Sequence, residues 1–312
     1  MSNKKHLIVL TGPTAVGKTA LSIALAKALN CEIISADSMQ VYKYMDIGTA
    51  KIMPAEMDGV KHHLIDILEP DEDFNVVLFQ KYAKTAIDEI YAKGKIPLIV
   101  GGTGFYIQAL LKDISFENED DSDDSYREEL SRLALEKGNE YLHDMLRAVD
   151  PASAEKIHAN NVKRVIRALE YYKNNNSPIS LHNEEQSENE SPYNYAYFVL
   201  NCERDVLYER IDKRIDIMVN DGLVEDVKGL LLKGCKKDSV AMQGLGYKEI
   251  IDYLNGDISL EEAIYILKRD TRHFAKRQIT WFKREKDVIW LTKDEDTLET
   301  IIKIAKDKGI IK

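Results

Sequence analysis

The sequence predicts an α/β fold in which a parallel sheet forms the core and a small helical insertion interrupts it. Short apolar strands alternate with helices in the first third of the chain, which is typical of a parallel sheet. A polar, acidic stretch then breaks this alternation, and a strand-like run returns after an all-helical segment. We therefore predict a core of residues 1–120 and 192–312 and an insertion of residues 121–191.

The elements of the first half follow from the spacing of apolar residues. Residues 74–93 carry apolar or small side chains at helical spacing, and Gly94 ends that helix. In chain order, the predicted elements are strand 6–10, helix 18–29, strand 32–35, helix 74–93, strand 96–100 and a helix after Gly104.

The second half is mostly helical. Residues 126–174 read as helices with turns at 137–139 and at Asp150-Pro151, and they close in a polar run at 174–178. Residues 193–201 return to a strand, so we expect the sheet to resume there. Helices then end near Gly222, Gly234 and Gly256, followed by a long basic helix at 260–282 and a last strand at 288–291.

Composition excludes several protein classes. The chain has 312 residues, 44% of them hydrophobic, with 16 glycines and 7 prolines, which excludes disordered and collagen-like chains. The apolar run near the N-terminus, residues 7–10, is too short for a signal peptide or a membrane span. Cys31, Cys202 and Cys235 have no zinc-site spacing. We expect reduced thiols and a cytoplasmic protein that does not enter a membrane.

Charge is unevenly distributed along the chain. Lys and Arg number 43 against 53 Asp and Glu, a net charge of −10, and two acidic stretches at 117–124 and 184–190 carry much of the excess. Residues 268–286 reverse this balance with eight basic and two acidic side chains. Such a run suits phosphate binding, although a solvated helix face would have the same composition.

The strongest local motif fits G-x-x-x-x-G-K-[ST] and lies between a predicted strand and helix, as a phosphate-binding loop requires. Its glycines allow backbone N–H groups to turn onto phosphate oxygens, and the helix N-terminus adds positive charge. We expect Lys18 to contact phosphate and Thr19 to bind Mg²⁺. The predicted binding residues are Gly12, Pro13, Thr14, Ala15, Val16, Gly17, Lys18 and Thr19.

Two other strand ends should meet this loop, because parallel strands end at one edge of a sheet. Asp37 follows the second strand, where it can accept a proton, help to hold Mg²⁺, or merely cap a turn. Gly101-Gly102-Thr103-Gly104 follows the 96–100 strand. An Asp is missing there, so ATP hydrolysis is not indicated. The core is thus predicted to resemble a P-loop NTPase fold.

With the phosphate loop, further segments closely resemble the bacterial tRNA dimethylallyltransferases, also called tRNA isopentenyltransferases. The matching segments are residues 37–42, 45–51, 62–66, 100–106, 161–170, 246–249 and 276–282. Three departures are Ile52-Met53-Pro54 after Lys51, Gln-Gly-Leu-Gly-Tyr at 243–247, and the length of the acidic stretch.

The resemblance implies transfer of a dimethylallyl group from dimethylallyl diphosphate to N6 of the adenine on the 3′ side of the anticodon in tRNA, releasing diphosphate. It implies Mg²⁺ as cofactor and three catalytic residues, Asp37, Thr103 and Lys18. Asp37 would accept the proton of the adenine amine, and Thr103 would lie near the nucleophile or the diphosphate. Thr14 matches a substrate-binding position of the family.

The adenine must leave the anticodon stack to reach such a site, so tRNA contacts are expected. Any one of these side chains could equally be a surface charge or packing residue. The candidates are Asp37, Ser38, Met39, Gln40, Arg127, Lys163, Arg164, Arg167, Gln243, Gly246, Tyr247, Lys248, Lys276, Arg277, Gln278 and Lys283. His62 and His63 point opposite ways on an extended segment, so we interpret them as structural.

Three other functions share part of this pattern. An isopentenyltransferase of free adenine nucleotides needs the phosphate loop and Asp37, but neither the insertion nor the basic helix. A P-loop kinase of a small metabolite would consume ATP when an acceptor is added. A non-catalytic nucleotide- or RNA-binding module would tolerate loss of Asp37. We expect a monomer that binds tRNA and dimethylallyl diphosphate.

Overall fold

The computed structural model describes residues 4–116 and 124–311. The chain divides into two compact units, one of Met1–Leu110 and Pro192–Lys312, the other of Leu111–Ser191. The predicted insertion of residues 121–191 lies within the second unit, which begins ten residues earlier. Residues 117–123 of the acidic stretch, predicted as a boundary, lie outside the described residues.

A six-stranded sheet forms the centre of the first unit, with every pair of neighbouring strands parallel. The strands are β1 (Lys5–Thr11), β2 (Cys31–Ala36), β3 (His62–His63), β4 (Ile96–Gly101), β5 (Tyr193–Asn201) and β6 (Val288–Thr292). Their order is β3-β2-β4-β1-β5-β6. Because helices cover a parallel sheet on both faces, its central strands are almost wholly buried. The predicted α/β class is confirmed.

Helices and strands alternate in the N-terminal part of the first unit, four helices follow one another between β5 and β6, and the described part of the second unit is helical. They are α1 (Lys18–Leu29), α2 (Val76–Ala92), α3 (Gly104–Leu111), α4 (Asp124–Lys137), α5 (Asn139–Val149), α6 (Pro151–Lys156), α7 (Val162–Asn175), α8 (Ile179–Ser187), α9 (Arg204–Asn220), α10 (Leu223–Leu232), α11 (Tyr247–Asn255), α12 (Leu260–Phe282) and α13 (Thr297–Asp307). The predicted bounds of α1, α12 and β5 match those of the structure. None of the described helices is long and apolar enough to cross a membrane.

The two-residue strand β3 has too few residues to be recognised from the sequence pattern. His63 Nε2 lies 2.8 Å from Glu32 Oε2, and the same carboxylate accepts hydrogen bonds from Lys93 and Lys95 at 2.8 and 3.1 Å. Burial raises the pKa of Glu32, but these partners outweigh burial and lower it to about 2. His63 therefore belongs to a charged cluster that ties β2 to β3 and to the end of α2, in agreement with a structural role.

The helical unit packs around its own apolar core, centred on residues such as Leu130, Leu142, Leu146 and Val165. Asp150 is 1% exposed and caps α6 by accepting a hydrogen bond from the Ser153 backbone at 2.9 Å. It also accepts one from the Ser180 hydroxyl at 2.7 Å. One buried carboxylate thus joins the starts of α6 and α8.

Candidate active site

Three loops meet at the carboxyl edge of the sheet because strands β1, β4 and β2 are neighbours and parallel. Gly101 is in register with Thr11 of β1 and with Ala36 of β2. The Thr11 hydroxyl donates to the Gly101 carbonyl at 2.7 Å, and the Thr103 N–H donates to the Ala36 carbonyl at 3.2 Å. The phosphate loop, Asp37 and the 101–104 loop are therefore adjacent.

The phosphate loop is shaped by close backbone approaches. Gly12 has φ +144°, and a Cβ there would lie 2.4 Å from the Leu200 carbonyl oxygen, so only glycine fits. Lys18 Nζ donates to the Gly12 and Pro13 carbonyls at 2.8 Å each and so bridges the loop. Burial, together with the nearby Arg214 charge, lowers the pKa of Lys18 to about 8, although Asp37 opposes this shift. Thr19 is exposed on the first turn of α1.

Asp37 both caps a turn and lines the site. Its Oδ1 accepts hydrogen bonds from the backbone N–H groups of Met39 at 2.8 Å and Gln40 at 3.3 Å. Among the described residues, none donates a hydrogen bond to Oδ2. The two roles that the sequence left open, turn cap and proton acceptor, are thus compatible, because each uses a different oxygen.

A cavity of about 360 Å³ opens at this edge. Of the predicted residues, it is lined by Thr14, Ala15, Asp37, Ser38, Met39, Thr103, Gln243, Gly246, Tyr247, Lys248, Arg277 and Gln278. Its remaining lining includes apolar side chains of α9 and α12, namely Ile211, Ile215, Met218, Leu267 and Phe274. The cavity therefore combines residues of the predicted phosphate loop, a carboxylate and an apolar wall.

Arg214 is the important residue that the sequence analysis missed. It lies on α9 and lines the cavity, and its Nη1 donates to the Thr14 hydroxyl at 3.2 Å. Burial lowers the pKa of this guanidinium, while the negative charge of Asp37 opposes the shift. The signal in the sequence is a charged residue inside the apolar stripe formed by Ile211, Ile215 and Met218, which are spaced as one helix face.

Gln278, which was predicted as a tRNA contact, lines the cavity and forms two hydrogen bonds within the protein. The side chain is 7% exposed, its Oε1 accepts a hydrogen bond from the Thr14 N–H at 2.9 Å, and its Nε2 donates to the Gly102 carbonyl at 3.0 Å. A Cβ on Gly102 would lie 2.2 Å from Nε2. Gln278 therefore holds the phosphate loop and the 101–104 loop together through its side-chain amide.

Two segments on the other side of the cavity also pack closely. A Cβ on Gly244 would lie 2.5 Å from Met39 Cε, and one on Gly48 would lie 2.5 Å from Tyr247 Cε2. Tyr247 is fully buried, so its ring is part of the cavity wall and is not an exposed stacking platform. Gln40 is not among the lining residues; its Nε2 donates to the Thr49 and Ala50 carbonyls at 3.3 Å each.

The C-terminal half of α12 is a basic surface. His273, Lys276, Arg277, Thr280, Trp281 and Arg284 line a second, open depression of about 460 Å³. Lys276, Arg277 and Lys283 are exposed, as expected for residues that contact a polyanion. The helix approaches α3 closely, since a Cβ on Gly104 would lie 2.1 Å from Trp281 Cδ1.

The remaining predicted basic residues lie in the helical unit. Lys163, Arg164 and Arg167 are exposed on α7. Arg127 on α4 forms an ion pair with Glu170 of α7, with 2.9 Å between Nε and Oε1. Arg127 is therefore also engaged in holding two helices of this unit together.

No group of three or more His, Cys, Asp or Glu side chains suited to a metal ion occurs among the described residues. Mg²⁺ usually takes one or two protein oxygens and completes its coordination with phosphate and water. The Thr19 hydroxyl and Asp37 suit an ion of this kind, which would be held largely by a bound diphosphate.

Comparison with known proteins identifies the family of this chain. A model of the IPP transferase family matches residues 40–285. This chain belongs to that family. It is 63% identical to the tRNA dimethylallyltransferase of Lachnoclostridium phytofermentans over 311 residues, covering 98% of this chain and 99% of the relative. It is 53% identical to the protein of the same name from Acetivibrio thermocellus over 302 residues, covering 96% of each.

Solved structures of the family share the fold. The tRNA isopentenylpyrophosphate transferase of Bacillus halodurans is 45% identical, with a TM-score of 0.72 over 98% of this chain and 96% of that one. A eukaryotic dimethylallyltransferase acting on tRNA is 30% identical, with a TM-score of 0.80 over 98% of this chain and 79% of that one. The family predicted from the sequence motifs is confirmed.

Proposed function

We propose that this enzyme transfers a dimethylallyl group from dimethylallyl diphosphate to N6 of the adenine on the 3′ side of the anticodon in tRNA. The observation that carries the proposal is one cavity in which a phosphate loop, Asp37 and an apolar wall converge. The names of the relatives, tRNA dimethylallyltransferases, support the same reaction.

The leaving diphosphate would bind at the phosphate loop. As the allylic C–O bond breaks, its electron pair stays on the diphosphate oxygen, so negative charge grows there. Lys18, Arg214 and the loop N–H groups are the cationic and hydrogen-bonding groups at this end. A well-placed donor of this kind contributes about 2.7–4 kcal/mol to transition-state stabilisation. Arg214 adds a second positive charge next to the phosphate loop. This charge would stabilise the negative charge of a leaving diphosphate more than a loop with Lys18 alone.

The acceptor amine would lie near Asp37 and Thr103. N6 of adenine forms the new bond to the allylic carbon, and the proton that it loses passes to the Asp37 carboxylate. The Oδ1 hydrogen bonds fix this carboxylate in the turn, and Oδ2 is the oxygen available for the proton. Thr103 would supply a hydroxyl beside the reacting amine.

The apolar wall would enclose the five-carbon chain. Ile215 and Leu267 are 3% exposed and line the cavity on facing helices. Asp212 of α9 accepts two hydrogen bonds from Arg272 of α12, both at 2.7 Å, and these bonds brace the two helices. Burial of a CH₂ group contributes ~0.8 kcal/mol, so such a wall favours a hydrocarbon substrate over a plain phosphate ester.

The tRNA would contact basic residues of both units, because flipping the adenine out of its stack costs a few kcal/mol. Exposed cations on α7 and α12 are the candidates for phosphate contacts, namely Lys163, Arg164, Arg167, Lys276, Arg277 and Lys283. Arg127, Ser38, Met39, Gln40, Gln243, Gly246, Tyr247 and Lys248 would support this interface or shape the adenine pocket. A tRNA substrate implies a cytoplasmic enzyme, and we propose that it acts as a monomer.

Mg²⁺ would be held by Thr19 together with diphosphate oxygens. When bound, it supplies positive charge next to the leaving group. Since the described residues hold no group of three or more His, Cys, Asp or Glu side chains suited to a metal ion, diphosphate oxygens would supply further ligands.

Labelled dimethylallyl diphosphate tests the reaction. The purified enzyme is incubated with Mg²⁺ and, in parallel tubes, unmodified tRNA, AMP, or ATP with an acceptor mixture. Label in tRNA supports the proposal. Label in AMP alone assigns the chain to the nucleotide prenyltransferases, and ATP consumption without label transfer assigns it to the kinases.

A further inference from the structure

Asp226 connects three segments of the core although it does not line the cavity. It lies on α10, and its Oδ2 accepts a hydrogen bond from the Tyr247 hydroxyl, at the start of α11, at 3.3 Å. Burial raises the pKa of this carboxyl group, and the Tyr247 hydroxyl, together with the nearby backbone N–H groups of Ile47 and Gly48, opposes the shift. The Tyr247 ring in turn packs against Gly48. One half-buried carboxylate therefore links α10 to α11 and, through Tyr247, to the 45–51 loop.

The residues that Asp226 fixes are cavity-lining residues. Tyr247 is 0% exposed, and its ring lies directly over Gly48, where a Cβ would come within 2.5 Å of Cε2. Gly48, Thr49, Gly246 and Tyr247 all line the cavity. We call this part of the lining the 48/247 wall. Its atoms are in van der Waals contact, so the position of the wall depends on the groups that hold Tyr247 and the loop in place.

A second anchor holds the other side of the same loop. Lys51 is 5% exposed, and its Nζ donates to the Tyr42 carbonyl at 2.7 Å, to Asp46 at 2.7 Å and to Asp66 at 2.5 Å. These contacts attach the loop to the segment that follows Asp37, and they do not involve α10 or α11. Of these two anchors, Asp226 is therefore the one that links the loop to α11, by holding the Tyr247 hydroxyl.

We propose that Asp226 is a positioning residue for the acceptor base: through Tyr247 and Gly48 it places the cavity wall against which the adenine is held. The inference rests on the proposed function, because that function makes adenine the acceptor. Thr14 and Ala15 of the phosphate loop and Arg214 also line the cavity, and among the described residues none of the three forms a hydrogen bond with Asp226. Loss of the carboxylate should therefore affect the acceptor and spare the diphosphate.

The experiment compares Asp226→Ala, Asp226→Asn and the control Glu225→Ala, which removes the neighbouring exposed acid of α10. Asp226→Ala should lower kcat/KM for tRNA at least tenfold, while the Kd of dimethylallyl diphosphate, measured by calorimetry, changes less than twofold. Asp226→Asn keeps an acceptor oxygen and should recover part of the loss. Glu225→Ala should match the wild type in both measurements.

A double-mutant cycle and hydrogen exchange make the test specific. If Asp226 acts through Tyr247, Asp226→Ala combined with Tyr247→Phe should lose little more than Asp226→Ala alone. Amides 47 and 48 should exchange faster in Asp226→Ala than in Glu225→Ala. Unchanged tRNA kinetics, equal losses for tRNA and diphosphate, or unchanged exchange would each overturn the inference.

A failure of the proposed function can be distinguished from a failure of this inference. If the wild type transfers no label to tRNA, the proposed function is wrong. Hydrogen exchange of amides 47 and 48 still shows whether Asp226 fixes the 48/247 wall. If thermal melting shows that Asp226→Ala is unfolded, Asp226→Asn replaces it in the comparison with the wild type. We then expect a smaller loss of kcat/KM for tRNA and no change in the Kd of dimethylallyl diphosphate.

Discussion

Arg214 donates a hydrogen bond to the hydroxyl of Thr14 at 3.2 Å and thereby places a partly buried guanidinium against the phosphate loop. The two residues are 200 positions apart in the chain, and α9 brings them together. Lys18 is close enough for the Arg214 charge to lower its pKa. Two cations so near each other repel, and a bound diphosphate would relieve that repulsion.

Replacement of Arg214 by Gln should therefore weaken the use of dimethylallyl diphosphate. We expect kcat/KM to fall by 10²–10³, equivalent to about 2.7–4 kcal/mol. Steady-state kinetics with varied diphosphate give the value. Arg210→Gln, on an exposed position of the same helix, is the control and should leave kcat/KM within twofold. Equal effects of both variants would argue against a specific role for Arg214.

Asp37→Asn separates the turn from the chemistry. The Asn side chain keeps an oxygen that can accept the Met39 N–H, so the turn should persist, whereas the amide cannot take the amine proton. We expect kcat to fall by about 10²–10⁴, with tRNA binding within threefold of the wild type. Single-turnover rates and gel-shift titrations measure the two effects. Retention of kcat would exclude Asp37 as the proton acceptor.

Gln278→Leu should lower the stability of the protein and disturb the two loops that the Gln278 amide joins. The variant leaves the Thr14 N–H and the Gly102 carbonyl without their side-chain partner, and an unsatisfied buried group costs about 1–3 kcal/mol. Urea unfolding should show this loss, and KM for dimethylallyl diphosphate should rise. Thr280→Val, two positions along α12 and exposed, should change neither quantity. A loss of tRNA affinity alone would instead favour a direct tRNA contact by Gln278.

Glu32 should make stability depend on pH. Its partners lower the pKa of the folded-state carboxyl to about 2, below the ordinary value of 4.5. A lowered pKa stabilises the fold fully above pH 4.5, and this contribution is lost as the pH falls from 4.5 towards 2. Glu32→Gln should therefore cost about 1–3 kcal/mol at pH 7 and clearly less at pH 3.

Urea unfolding of the wild type and Glu32→Gln at the two pH values checks this sign. Glu89→Gln, whose carboxylate lies 4.0 Å from His63 and is 54% exposed, serves as the control. A cost for Glu32→Gln that did not depend on pH would mean that packing, and not charge, supplies the stability of this cluster.

The phosphate loop and the elements on either side of it could be predicted from the sequence, because the patterns that indicate them span only a few neighbouring residues. The phosphate loop needs two glycines, a lysine and a threonine at fixed spacing, and strand or helix periodicity places β1 and α1 on either side. The convergence of Asp37 and the 101–104 loop followed from one rule, that parallel strands end at a common edge. The two-residue strand β3 was missed because it has no periodicity to detect.

The tertiary structure decided what the long-range contacts do. The sequence motif predicted a tRNA contact for Gln278, and only the structure shows that its amide is hydrogen-bonded to Thr14 and Gly102, in the loops at the sheet edge. Arg214 looked like an ordinary charge of an amphipathic helix until α9 placed it beside Thr14. Periodicity gives the face of a helix on which a residue lies, but it does not say what that face meets.

The sequence by itself determined the fold class, the phosphate loop and the family, because these depend on local spacing and on motifs in a fixed order. Only the tertiary structure decided which charges are buried, which amides join two loops, and which carboxylate fixes the wall of the cavity. These properties arise from contacts between residues far apart in the chain, such as Asp226 with Tyr247 and Tyr247 with Gly48. The energy of such contacts depends on burial and distance, which the packing of α9 to α12 with one another and against the loops at the sheet edge creates.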